Sequence, residues 1–360
     1  METKIVIGCD WGYENKGRVV QWLCKKAIKE GKHPIVIRPS GDSLNPRTVF
    51  YKNLEHHCYL FGSGVLQGVP TVLGNNFHLN PIKLMEEYDT LVKKGVNPII
   101  YINKLCNIVT PYDPIYKSES MMYTEKDPSI AYYERLLYFH CLESLEDWLE
   151  DPKRLLDELR EYYKCLPLKL EDEKFVKACN RMKDLKDNII IIDRDVPKGY
   201  SNEVCIFECA YGLLRDISYG LPPKTTYTDT GLRGILYPHL KDSEVYLVAQ
   251  PHKVIGIKER GNFLDIDLMN RAIDRHHLDT CVIRYNLKMN LVLITKELFS
   301  EIDPYIYLDY MGAKLRFEKL TIDSCIKDTA TLLNIPFEHI YHYDHPKENI
   351  REIDYSLLVK

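Results

Sequence analysis

A short apolar, β-branched run that breaks into a glycine-flanked turn and then a helix most restricts what this 360-residue chain can become. Residues 3–9, TKIVIGC, read as a buried strand ending at a turn. GRVVQWLCKKAIKEGK (17–32) follows with helical spacing: Val20, Leu23, Ala27 and Ile28 fall on one face, and Gly31 ends it. HPIVIRPSGDS (33–43) is a second strand. That order predicts an α/β fold with a mostly parallel central sheet and helices on both faces. Further strand candidates are TVLG (71–74), PIIYIN (98–103), NIIIID (188–193), VCIFEC (204–209), VYLVAQ (245–250) and LVLIT (291–295). Between 129 and 187 the chain turns charged, with leucines at three- and four-residue steps, which predicts an amphipathic helical insertion. A plain helical subdomain is the simpler reading of it; a lid or a dimer surface is the functional one. With no internal repeats and no flexible linker, one α/β domain over 1–360 is expected.

Composition narrows the setting. At 45% hydrophobic and 28% charged residues the chain has a globular make-up, and no apolar run approaches the roughly 18 residues of a membrane span. The amino terminus enters a strand directly, so no cleaved leader is expected. Eleven scattered cysteines without a CxxC pair point to free thiols in a reducing cytoplasm rather than to a disulfide framework or zinc. A formal charge of −4 gives no electrostatic reason to expect nucleic acid as a partner.

The turn itself carries chemistry. A phosphate loop needs inward backbone N–H groups, a helix N-terminus behind them and a cation. GYENKG (12–17) supplies Gly12 and Gly17 for close backbone approach, Asn15 as a residue type that tolerates positive φ, and Lys16 as the charge. The spacing is not that of a Walker loop, and neither a GxGxxG loop nor a GxSxG elbow occurs. HIYHYDHP (339–346) clusters histidines, but no known ligand spacing is present, so no metal site is assigned there. The pairs His56–His57 and His276–His277 read as surface or polar-core residues.

Ordered segments extend the signal over nearly the whole chain. DWGYENKGRVV, FGSGVL (61–66), VLGNNFHLNPIKLMEEYDTLVKKGV (72–96), FECAYGLLRDISYGLPPKTTYTDT (207–230), PHKVIG (251–256), LDTCVIR (278–284) and LVLITK (291–296) resemble, in order, segments of the adenylosuccinate synthetases. The resemblance implies that family's α/β fold, Mg²⁺, and GTP or ATP as co-substrate. It also implies purine nucleotide and aspartate (or another amine) as ligands, and a homodimer. The family reaction phosphorylates the 6-oxo group of a purine nucleotide, and the amine then displaces the phosphate.

Carried over position by position, the resemblance marks a changed site. Tyr13 stands where the family has its catalytic aspartate, and Arg47 where it has its catalytic histidine; Glu14 and Lys16 are retained. A phenol is a poor Mg²⁺ ligand and is protonated near neutral pH, whereas an arginine neutralises a transferring phosphoryl group. The nucleotide and phosphate candidates are Gly12, Asn15, Gly17, Thr48, Asn75, Thr124, Tyr211, Asp216, Thr230, Lys253, Thr295 and Lys296. Tyr211 replaces an amide-bearing glutamine and fits stacking better. Arg271 and Arg275 are the candidates for an amino-acid carboxylate. Three readings stay open: a diverged ligase, a non-catalytic nucleotide-binding protein that senses purines or modulates a partner, and a scaffold without nucleotide affinity.

Overall fold

Near-continuous apolar runs are what strands buried on both faces require, and such runs form the centre of this protein. The computed structural model describes residues 2–12, 14–44, 46–113, 144–163, 169–194, 196–197, 204–221, 225–226, 228–235, 237–250, 252–253, 262–263, 266–294, 307–310, 313–316, 330–343 and 350–353. In chain order come β1 (Glu2–Gly8), α1 (Lys16–Lys29), β2 (Pro34–Gly41), β3 (Arg47–Tyr51), β4 (Leu54–Cys58), β5 (Thr71–Leu79), α2 (Pro81–Lys93), β6 (Ile100–Asn103) and β7 (Asn107–Ile108). Then follow α3 (Leu145–Glu150), α4 (Pro152–Tyr163), α5 (Lys169–Asp184), β8 (Ile189–Ile192), β9 (Val204–Gly212), α6 (Tyr237–Leu240), β10 (Glu244–Ala249), β11 (His252–Lys253) and β12 (Asn262–Phe263). The last are α7 (Ile266–Arg275), α8 (Leu278–Tyr285), β13 (Lys288–Ile294), β14 (Tyr307–Tyr310), β15 (Ala313–Arg316), β16 (His339–Tyr343) and β17 (Arg351–Ile353).

One sheet runs β17-β16-β13-β10-β1-β9-β2-β5-β6-β8, with β7 beside β5. Its pairings are parallel except β16–β17. Every strand candidate named from sequence lies in it. Successive side chains divide between two cores: Ile5, Ile7, Phe207 and Leu247 pack with Met269 and Ile273 of α7, while Val6, Val36 and Ile206 pack with Val19, Val20 and Leu23 of α1. Helices therefore cover both faces. Ile28, expected on the buried stripe, is 44% exposed; it lies one step beyond the arc closed by Val20 and Cys24, in the last turn of α1.

Of the expected helical insertion, residues 129–143 lie outside the described residues. Residues 164–168 lie outside them too; the described part contains α3 to α5, and Trp148, Leu159, Phe175 and Cys179 share a core with Leu84 and Leu91 of α2 and Ile100 of β6. These helices thus bury the β5–β6 end of the sheet. Eight described cysteines are free, seven of them buried.

Glu87 of α2 is buried by design of the turn it serves. Its carboxylate accepts N–H groups of Tyr59 (3.1 Å), Leu60 (2.6 Å) and Phe61 (3.4 Å) and faces His56 Nε2 at 3.2 Å. Cys58 lies in the same cluster, but these donors already occupy the carboxylate that a metal would need. Removing it strands several buried donors, so Glu87→Ala should cost about 3–5 kcal/mol in urea unfolding. Glu87→Gln, which keeps one acceptor oxygen, should cost less.

Candidate functional site

Three adjacent strands, β1, β9 and β2, end at one edge of the sheet. A cleft of about 330 Å³ lies across their carboxyl ends, lined by the loop and helix start after β1, by the last residues of β2 and β9 with the segments that follow them, and by the start of β3. Open α/β sheets place ligands at this edge, and the volume is at the lower end of ligand pockets.

The loop after β1 is bent by two left-handed residues, Gly12 (φ +103) and Asn15 (φ 55), the second capping α1. A Cβ on Gly12 would sit 2.7 Å from Tyr211 Cα, so only glycine lets the loop approach β9 this closely. The Asn15 amide donates to Gln250 Oε1 at 2.7 Å, tying the loop to the end of β10. Glu14 is fully buried and turns back into the loop: Oε1 accepts the N–H of Asp10 (2.9 Å) and of Gly12 (2.8 Å), and Oε2 accepts from Lys16 Nζ (3.1 Å). The inward backbone donors of the turn are thereby held by an internal carboxylate, and Glu14 lies behind the cleft wall rather than on it.

Cationic residues line the cleft instead: Arg18, Arg38, Arg47 and Arg215, and Lys16, whose Nζ is held by Glu14. Arg47 is fixed through Nε, which donates to Glu208 Oε1 at 2.8 Å. Glu208, inside β9 and fully buried, also accepts the Ser63 N–H (3.0 Å) and the Ser63 hydroxyl (2.5 Å). With Nε committed, Arg47 Nη1 is buried and finds no acceptor among the described residues. Arg38, 1% exposed, donates through Nη1 to the Tyr59 carbonyl and stacks 4.6 Å above Phe77, and its Nε is likewise buried without an acceptor. Burial, and then the charge of Arg47, lower its pKa to about 10.

Tyr211 occupies the opposite wall in a left-handed conformation (φ 49), a strained state for a bulky residue. Its hydroxyl donates to Asp42 Oδ2 at 2.7 Å, and the Arg215 guanidinium lies 4.5 Å over its ring. Asp42 Oδ1 accepts the Leu44 N–H at 2.8 Å.

The cleft thus gathers Gly12, Asn15, Lys16, Gly17, Arg47, Thr48 and Tyr211 from the sequence candidates. Others sit elsewhere. Asn75 is exposed on β5, and Arg271 and Arg275 are exposed, four residues apart, on α7. Asp216 and Thr230 are fully buried in a network: Asp216 accepts N–H groups of Ser218, Tyr219 and Thr230 and pairs with Arg233. Lys253 belongs to the β11–β12 hairpin. Tyr13, Thr124, Thr295 and Lys296 lie outside the described residues. Residues not named from sequence complete the wall: Trp11, Arg18, Arg38, Asp42 and Arg215, with Glu208 and Ser63 behind it. A charge inside an apolar strand, as in IVIRPSG and VCIFECA, was the available signal for Arg38 and Glu208.

Mg²⁺ requires hard oxygen ligands with room for octahedral geometry. Among the described residues, Asp42 is the one carboxylate lining the cleft; both its oxygens hold hydrogen bonds, Glu14 and Glu208 are occupied by N–H and O–H donors, and five cations surround the space. This donor set does not fit a divalent ion.

Comparison with known proteins agrees with the fold. The adenylosuccinate synthetase family model matches residues 5–238. Adenylosuccinate synthetase of Thermodesulfovibrio yellowstonii is 29% identical over 250 residues, 64% of this chain and 56% of that protein. The counterpart from Wigglesworthia glossinidia brevipalpis is 28% identical, over 64% of this chain and 57% of its own. The matched stretch thus spans little more than half the length of these relatives. Among solved structures, fully ligated adenylosuccinate synthetase from Plasmodium falciparum superposes with a TM-score of 0.68 at 17% identity, covering 98% of this chain and 100% of its own. Cyanophage S-2L succinoaminodeoxyadenylate synthetase, bound to dGMP and to dATP as energy donor, gives 0.59 at 10% identity, over 98% and 95%. The chain belongs to the adenylosuccinate synthetase family.

Proposed function

We propose that the protein is a diverged purine nucleotide ligase that uses GTP or ATP to couple an amine, aspartate or another, to a 6-oxopurine nucleotide. The observation that carries this reading is Arg47: its Nε is anchored on buried Glu208, and its buried Nη1 lacks an acceptor. A transferring phosphoryl oxygen supplies such an acceptor, and a fixed guanidinium there neutralises developing charge as an arginine finger does. In the proposed chemistry the purine N–H gives its proton to solvent water, the 6-oxygen attacks the γ-phosphorus, and the bond to the nucleoside diphosphate breaks as it leaves. The amine then displaces phosphate at C6. Arg47, and Lys16 once it leaves Glu14, hold the phosphoryl oxygens. Tyr211, with Arg215 over its ring, offers an aromatic wall for the base. Arg271 and Arg275 remain proposals for an amino-acid carboxylate, as does a homodimer for the assembly.

A second reading, a nucleotide-binding protein without turnover, is favoured by Glu14. Its carboxylate holds Lys16, which keeps that cation from a transferring phosphoryl group while the arginines of the cleft are left for binding.

Phosphate release from GTP or ATP, with pooled purine nucleotides and amino acids, separates the two readings. The ligase reading expects release that needs both an acceptor nucleotide and an amine, and that disappears in Lys16→Ala. No release in any combination, with saturable nucleotide binding retained, would establish the second. Arg47→Ala should lower turnover by about 10³-fold or more. Glu208→Gln should weaken the anchoring of Arg47, with a coupling of about 0.5–3 kcal/mol to Arg47→Gln in a double-mutant unfolding cycle. A coupling near zero would show that the pair does not hold Arg47.

A further inference from the structure

The cleft carries more positive charge than its own carboxylates offset. Lys16, Arg18, Arg38, Arg47 and Arg215 line it, against Asp42 on the wall and Glu14 and Glu208 buried behind. Two of these guanidiniums, Arg38 and Arg47, each keep a buried N–H donor with no acceptor among the described residues. Arg38 is almost fully buried; Nη1 donates to the Tyr59 carbonyl and Nη2 to that of Asp42 at 3.5 Å, and the Glu208 and Glu87 charges act on it without a direct hydrogen bond. Burying a guanidinium without a hydrogen-bonded counter-ion is costly. A second guanidinium near enough to lower its pKa adds to that cost. Both burdens are relieved by an anion with several oxygens, and Asp42, the described carboxylate that lines the cleft, already holds hydrogen bonds on both oxygens.

We propose that Arg38 and Arg47 form an anion subsite that stands in for a divalent metal, so that the cleft binds the polyphosphate of a nucleoside triphosphate in its metal-free form. The subsite rests on the nucleotide cleft of the preceding reading but not on turnover. A triphosphate carries oxygens enough to meet both orphaned donors, and Arg47 is held in place on Glu208, so that a small local opening suffices to bring an oxygen to its buried Nη1. A magnesium-bound triphosphate, with much of its charge already neutralised, gains less from the two arginines and exposes fewer oxygens to them.

The test is calorimetric titration of the full chain with non-hydrolysable GTP and ATP analogues, once in excess EDTA and once in millimolar MgCl₂. The dissociation constant in EDTA should lie within threefold of the magnesium value, or below it. Arg47→Gln should weaken binding in EDTA at least tenfold, with the far-ultraviolet dichroism and melting curve confirming that the variant folds. Binding more than tenfold weaker in EDTA than in magnesium would overturn the inference and leave the ligase reading standing. Unchanged affinity in folded Arg47→Gln would overturn it as well. Metal-free binding without phosphate release in any combination would keep the subsite and sink the ligase reading. No saturable binding in either buffer would sink both.

Discussion

A carboxylate buried in the middle of a parallel sheet sets the geometry of this protein. Glu208 lies on β9, between β1 and β2, where an ionised side chain survives only if it is hydrogen-bonded throughout. Ser63 supplies two donors and Arg47 a third. Three separate stretches, the turn after β4, the start of β3 and the strand itself, are thereby locked to one point. Because the bond goes through Nε, the guanidinium end of Arg47 is left for the cleft. Stability and chemistry are linked here through one residue, and the sheet supplies the rigidity that a loop-borne site would lack.

The turn after β1 shows the opposite arrangement. Gly12 and Asn15 bend it as a phosphate loop is bent, yet Glu14 folds inward and satisfies the donors such a loop would present. An internal anion inside an anion cradle makes the loop self-sufficient. The positive charge that a ligand meets comes from side chains on β2, β3, α1 and the segment after β9. The strained backbone of Tyr211, with its hydroxyl on Asp42, closes the far side of the same space. The charge of the cleft is therefore carried by side chains rather than by the backbone donors of the loop.

Much of the scaffold was legible in the sequence, because parallel strands buried on both faces demand continuous apolar runs, and TKIVIGC, VCIFEC and VYLVAQ are such runs. Ile28 misled because a helical stripe has an edge that spacing alone does not locate. The cleft was half legible. Gly12, Asn15, Lys16 and Arg47 were visible through loop chemistry and resemblance, whereas Arg38, Asp42, Arg215 and Glu208 were not named. Their roles depend on meetings between residues far apart in the chain, such as Ser63 with Glu208 or Asp42 with Tyr211, which no local pattern encodes. Asp216 illustrates the converse. Its segment matches the family pattern, but matching cannot distinguish a ligand contact from a buried hub that organises Ser218, Tyr219, Thr230 and Arg233.

The account rests on one spatial claim, that phosphate oxygens belong at the buried Nη1 of Arg47. A crystal structure with a purine nucleoside triphosphate analogue tests it most directly. The account predicts a phosphate oxygen at about 2.7–2.9 Å from Arg47 Nη1, the length of a charge-assisted hydrogen bond, with the Arg47–Glu208 pair intact. A nucleotide bound outside the cleft, or within it with its phosphates turned away from Arg47, would contradict it.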